Sequence, residues 1–114
     1  MKIEKMNRAA GAASDLLKAM ANPLRLKILC QLIDGEKSVG ALAARLGIRD
    51  TLASQHLALL RRDRLVQPRR AGHNIYYAVE SPAARAVIAA LYAAFCAPAQ
   101  IAKSTRKAAA KRAA

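Results

Sequence analysis

The most reactive side chains in the 114-residue chain are its two cysteines, Cys30 and Cys96. A thiol admits two readings. It can be a small buried hydrophobe, and Cys30 shares an apolar stripe with Leu26, Leu29 and Ile33. It can instead be redox-active, which requires exposure or a lowered pKa so that thiolate is available. No acid or base is placed beside either cysteine, which argues against a thiol enzyme such as a peroxidase, and no catalytic residue is assigned. A second constellation is polar and basic: Arg49, Thr51, Leu52, Ser54, Gln55 and His56, then Arg61, Arg62 and Arg64, then Arg69, Arg70 and His73. Hydroxyls and amides can meet base edges, and arginines can meet phosphates. The bland alternatives are a solvated helix face for Ser54 and Gln55 and solubility for Arg62 and Arg64. For His56 they are packing against the preceding helix or a phosphate contact.

These residues must be carried by helices and one hairpin. Leu16, Leu17 and Met20 sit at helical spacing in a first helix over residues 11–21. Asn22-Pro23 joins an N-cap residue to a proline at the first helical position, and the second helix ends at Asp34-Gly35. Ser38 caps a third helix bearing Val39, Leu42 and Leu46, and Gly47 suits the left-handed residue that ends it. Asp50 or Thr51 caps a fourth, with Ala53, Leu57 and Leu60 inward, which makes a helix-turn-helix. Residues 65–70 and 74–79 form a hairpin around Ala71-Gly72-His73. Ser81-Pro82 opens a last helix with the stripe Val87, Ile88, Leu91, Tyr92 and Phe95, ending or kinking at Pro98.

Composition limits the partners. One domain of this length buries only about two thirds of its unfolded surface, so help from a second copy is plausible. Much of the 54% hydrophobic content is alanine, which favours helix and brings little burial energy. The net charge is +13, and Lys103, Arg106, Lys107, Lys111 and Arg112 concentrate part of it in a tail. Such a surplus suits a polyanion, because neutralising phosphates releases counterions; acidic membrane surfaces would also attract it. The charged residues among 1–10 argue against a secretory signal, so a cytoplasmic protein is expected. The uncharged run 86–102 is too short and alanine-diluted for a convincing membrane span.

Four blocks in order resemble the ArsR family of winged-helix repressors. They are Ala21-Asn22-Pro23-Leu24-Arg25-Leu26-Lys27-Ile28-Leu29, then Ser38-Val39-Gly40-Ala41-Leu42, then Ser54-Gln55-His56-Leu57-Ala58-Leu59-Leu60-Arg61, and Tyr76-Tyr77. The resemblance covers about residues 10 to 98 and implies a mainly α fold with a small β-hairpin, in the order helix, helix, helix, helix, strand, strand, helix. It implies a homodimer through the terminal helices and an inverted-repeat operator in double-stranded DNA. A flexible arm (1–10), the winged-helix domain (11–98) and a basic tail (99–114) follow. Arg49, Thr51, Leu52, Ser54, Gln55, His56 and Arg61 would face DNA from the recognition helix, with Gln55 the leading base contact. Arg69, Arg70 and His73 would do so from the wing. Related chains often carry Pro-Thr where this one has Thr51-Leu52, and Leu52 would then meet a thymine methyl.

The resemblance also bears on what the protein senses. The Cys-x-Cys of arsenite and soft-metal sensors is replaced by Ser38-Val39-Gly40, and the Asp and His pattern of the zinc sensors is missing from residues 81–97. No metal site or cofactor is therefore expected. Leu29-Cys30 and Tyr92-Ala93-Ala94-Phe95-Cys96 look like the two-cysteine pattern of the BigR and SqrR branch. That resemblance implies thiols that respond to persulfide by a disulfide or sulfur-extended bridge and so release DNA. Peroxide and arsenite are the alternative inducers, and an architectural DNA-binding protein is the alternative class.

Overall fold

The computed structural model describes residues 1–96. The expected basic tail, 99–114, and the break at Pro98 lie outside the described residues. The chain divides into two units, the first Met1–Ser81 and the second from Pro82 onward.

In the first unit, α1 (Ile3–Met20) is followed by α2 (Pro23–Ile33). The expected flexible arm over 1–10 and the helix start at Gly11 are corrected here, since helix begins at Ile3. Residues 3–10 contain no proline or glycine, and Gly11 only weakens a helix without stopping it. At the next junction Asn22 acts as foreseen. Its Oδ1 accepts hydrogen bonds at 3.0 Å from the backbone N–H groups of Leu24 and Arg25, while Pro23 fills the position that needs no donor.

A two-residue strand, β1 (Lys37–Ser38), leads into α3 (Val39–Leu46), and α4 (Asp50–Arg62) completes the helix-turn-helix. Ser38 Oγ accepts from Ala41 N–H at 3.1 Å, and Gly47, at φ 65°, ends α3. The cap of α4 differs from expectation. Arg49 occupies the N-cap position with extended backbone and no side-chain cap, so Asp50 lies one residue inside, where its charge meets the positive helix end.

The hairpin is β2 (Val66–Ala71) and β3 (Asn74–Val79), paired antiparallel from Val66↔Val79 to Ala71↔Asn74. Its turn is Gly72-His73, with glycine at the first position and φ 61°, a backbone that glycine adopts without strain. Strand β1 pairs with the other edge of β3, so the sheet has order β1-β3-β2 and three strands where a hairpin alone was expected. Two residues are too few to show a period. Pro68 is tolerated because β2 is an edge strand.

The core of this unit is made by Ile28, Leu29 and Leu32 of α2, Leu42 of α3, Leu57 and Leu60 of α4 and Val66 of β2, each under 2% exposed. Burying each is worth about 1.5–3 kcal/mol. Ala53, Leu57 and Leu60 are the inward face expected for α4. In the second unit, α5 spans Pro82–Phe95. Ala84 and Ile88 are buried, but Tyr92 and Phe95, expected on the inward stripe, are 62% and 70% exposed.

Candidate nucleic-acid interface and thiol positions

Because Ala53, Leu57 and Leu60 turn inward, the opposite face of α4 presents Thr51, Leu52, Ser54 and Gln55 to solvent. Arg49 is exposed just before the helix and Arg61 at its end. His56 is half-buried on the flank, and its Nδ1 is shielded from solvent without a hydrogen-bond partner. Arg62 Nε lies 3.6 Å from Asp63 Oδ1 on the open surface, where an ion pair contributes little. Just past the end of α4 and its C-cap Asp63, Arg64 takes the left-handed backbone at φ 63° while Leu65 N–H donates to Leu60 O at 2.9 Å. The closure has the same form as at Gly47, but with a side chain that disfavours it.

Strand geometry separates the two neighbouring arginines of the wing. Successive side chains point to opposite faces, and directly opposed residues share a face. Pairing places Arg70 opposite Ile75 and Pro68 opposite Tyr77. Together with Arg61 of α4 these four line a shallow notch of about 220 Å³. Arg61 and Arg70 give its lining two positive charges, which suit a backbone phosphate.

Arg69 belongs to the other face, opposite Tyr76. Its Nε donates to Glu36 Oε2 at 3.0 Å, its second nitrogen donates to Glu36 Oε1, and its Cζ stands 5.2 Å from the centre of the Tyr76 ring. Hydrogen bonds from Arg69 hold the Glu36 carboxyl below the usual carboxylate range, outweighing slight desolvation, and the same bonds raise Arg69 further. Two of the donors of Arg69, a residue expected to face DNA beside Arg70, are thus engaged by Glu36, although the side chain stays exposed. Nothing in the sequence pointed to Glu36, because the partners are 33 residues apart and meet only through β1. His73 is exposed at the wing tip.

Cys30 lies on the exposed side of α2. The stripe drawn through Leu26, Leu29, Cys30 and Ile33 is corrected, since the buried residues are Ile28, Leu29 and Leu32 and the helix is rotated so that Cys30 faces outward. Cys96, in the second unit, is exposed just past α5, where its N–H donates to Tyr92 O at 2.7 Å. Among the described residues, no three of His, Cys, Asp and Glu gather as a metal ion would require, and no helix is long and apolar enough to cross a membrane.

The arrangement agrees with its relatives. Residues 22–67 match the family model described as bacterial regulatory protein, arsR family. The transcriptional activator HlyU of Vibrio cholerae is 44% identical over 96 residues, spanning 84% of this chain and 89% of that one. The crystal structure of the transcriptional repressor BigR from Xylella fastidiosa superposes with a TM-score of 0.81 at 38% identity, covering 86% of this chain and all of that one. A homodimeric winged helix-turn-helix DNA-binding domain from Mycobacterium bovis gives a TM-score of 0.67 at 33% identity, covering 75% and 79%. A helix-turn-helix with an exposed polar face, followed by a basic wing and matched along most of its length by these regulators, belongs to the ArsR family of DNA-binding transcriptional regulators, and so does this chain.

Proposed function

We propose that the chain is a homodimeric repressor that leaves its operator when persulfide bridges Cys30 and Cys96. The observation that carries this reading is the outward placement of Cys30, which a purely structural cysteine on an apolar stripe would not show. An exposed thiol can be attacked or oxidised; a buried one is inert. In the first step a thiolate takes the terminal sulfur of a persulfide RSSH, giving Cys–SSH and RSH. The second thiolate then attacks the cysteine-bound sulfur of that group, forming Cys–S–S–Cys and expelling H₂S. One persulfide and two thiols thus yield one disulfide, one thiol and one sulfide. A second persulfide supplies the extra sulfur of a longer bridge, which tolerates a wider separation than a direct bond. In a reducing compartment the bridge forms only when the oxidant arrives, so it reports a change.

DNA would be read by Thr51, Leu52, Ser54 and Gln55 in the major groove. Arg49, Arg61, Arg70 and His73 would meet the backbone, and His56 would support α4 from its flank. Two copies would place two such helices on an inverted repeat. The M. bovis relative is homodimeric, and in this chain each unit leaves apolar surface uncovered, Ile3, Met6 and Leu17 of α1 in the first and Tyr92 and Phe95 of α5 in the second, as surfaces that pair between copies would. Bridging α2 to the end of α5 would alter the spacing of the two reading helices. A coupling of about 1–3 kcal/mol would weaken binding roughly 5- to 150-fold.

The test is intact mass spectrometry of the protein after glutathione persulfide, peroxide or arsenite. It is paired with DNA binding of the wild type, Cys30→Ser and Cys96→Ser on a duplex selected from a random library. Loss of two hydrogens, or a gain of sulfur between the thiols, together with weakened binding in the wild type alone is expected for persulfide. Full affinity after persulfide would overturn the reading, and a response confined to peroxide or arsenite would replace the inducer. Equal affinity for random and selected duplexes would favour an architectural protein.

A further inference from the structure

The three strands of the sheet are unequally secured. β2 and β3 pair over six positions, while β1 pairs with β3 only at Lys37↔Tyr77 and Ser38↔Tyr76. The wing would otherwise project from the fold as a two-stranded ribbon, a structure of marginal stability in water. Arg69 on the outer strand crosses the ring of Tyr76 on the central strand and grips Glu36, which directly precedes the inner one. The far end of that grip is itself held. Lys37 Nζ donates to Gln31 O at 2.6 Å and to Gly35 O at 3.3 Å, tying the turn before β1 to the last turn of α2. A chain of directed contacts thus runs from α2 through Glu36 to the outer wing strand.

We propose that Arg69 acts in DNA binding as a positioning residue: its two-point bridge to Glu36 across Tyr76 fixes the wing for DNA, and Arg69 itself neutralises no phosphate. The proposal rests on the reading that the wing lies along DNA. Forked guanidinium-to-carboxylate pairing fixes orientation as well as distance, and the aromatic face beneath it removes a further degree of freedom. A wing ordered before encounter loses less freedom on binding. Arg70, one residue along, lies on the opposite face and lines the notch together with Arg61, where the two would meet a phosphate. Neighbouring arginines of the same strand therefore do different work, one aiming the wing and the other touching DNA.

Salt dependence separates the two roles, because removing a cation that neutralises one phosphate lowers the slope of log affinity against log salt by about one. The full chain is titrated with a duplex selected from a random library over a series of salt concentrations, as wild type, Arg69→Ala, Glu36→Gln, the Arg69→Ala/Glu36→Gln double variant, the charge swap Glu36→Arg/Arg69→Glu, and Arg70→Ala. Both single variants and the double are expected to lose affinity by the same factor, roughly three- to tenfold, with the slope unchanged. The swap should recover most of that affinity. Arg70→Ala should weaken binding and lower the slope by about one. A lowered slope in Arg69→Ala, with Glu36→Gln binding as well as or better than wild type, overturns the proposal, since Glu36 would then compete with phosphate. If Arg70→Ala keeps its effect while Glu36→Gln has none, the clasp fails alone. If neither variant has an effect, the wing does not meet DNA. Far-UV circular dichroism shows that each variant is folded, and the swap keeps the test decisive if Arg69→Ala unfolds the wing.

Discussion

Helix α4 and the β2–β3 wing both present polar and basic side chains to solvent but hold them by different means. On α4 the backbone is secured by its own hydrogen bonds and by Ala53, Leu57 and Leu60, each fully buried, so the exposed face follows from the helical period. On the wing only the inner end is anchored in the core, by the buried pair Val66 and Val79; farther out, orientation depends on strand pairing and on the surface bridge of Arg69 to Glu36. One element is braced from within and the other from outside. A helix seated in the core suits base discrimination, which tolerates little misplacement. An edge ribbon suits backbone contact, where charge and approach matter more.

Four experiments bear on that contrast, in order of decreasing effect. Leu57→Ala removes the central anchor of α4 and should cost about 3–4 kcal/mol in denaturant unfolding at fixed protein concentration. A cost under about 1 kcal/mol would mean that α4 is not braced from within. Gln55→Ala should weaken binding to a selected duplex by about 1–3 kcal/mol while leaving the salt slope and random-sequence affinity unchanged, opposite in kind to the change expected of Arg70→Ala. A uniform weakening on every sequence would move Gln55 from base reading to backbone contact. Arg64→Gly relieves the left-handed backbone where α4 hands over to the sheet; strain relief less the added freedom of the unfolded chain should leave it about 0.5 kcal/mol more stable. A destabilised variant would show that the Arg64 side chain contributes more than its backbone costs.

The last and smallest effect concerns pH. Because Glu36 titrates lower in the folded protein than when unfolded, the stability it contributes is full above the ordinary carboxylate range and is lost as pH falls through its lowered folded value. Hydrogen exchange of the wing amides should therefore be insensitive to this pair from neutral to mildly acidic pH and quicken only in stronger acid, after correction for intrinsic rates. Glu36→Gln should abolish that acid step. The same step in the variant would assign it to another carboxylate.

Much of the local architecture was legible. Asn22-Pro23, Ser38 and Gly47 marked helix ends because capping and left-handed backbone depend on the identity of one residue. The face of α4 followed from spacing alone, as did the hairpin around Gly72. The rotation of α2 did not. Leu26, Ile28, Leu29, Cys30, Leu32 and Ile33 spread apolar side chains over more than half of the helix circumference, so periodicity could not say which of them neighbouring elements would cover. A stripe through Cys30 is as regular as one through Ile28, yet Cys30 faces solvent.

The sequence by itself determined the order of elements, the helix-turn-helix with its exposed Thr51, Ser54 and Gln55, and a basic character suited to DNA. These rest on local chemistry and on a period that one segment carries alone. Tertiary structure decided which side of α2 holds the thiol and that Lys37–Ser38 becomes a third strand. It also decided that Arg69 and Arg70, identical neighbours on the chain, serve different faces. Each of those outcomes depends on a partner far along the chain, Glu36 for Arg69 and β3 for β1, and a pairing that only folding brings about leaves no period in the residues that make it.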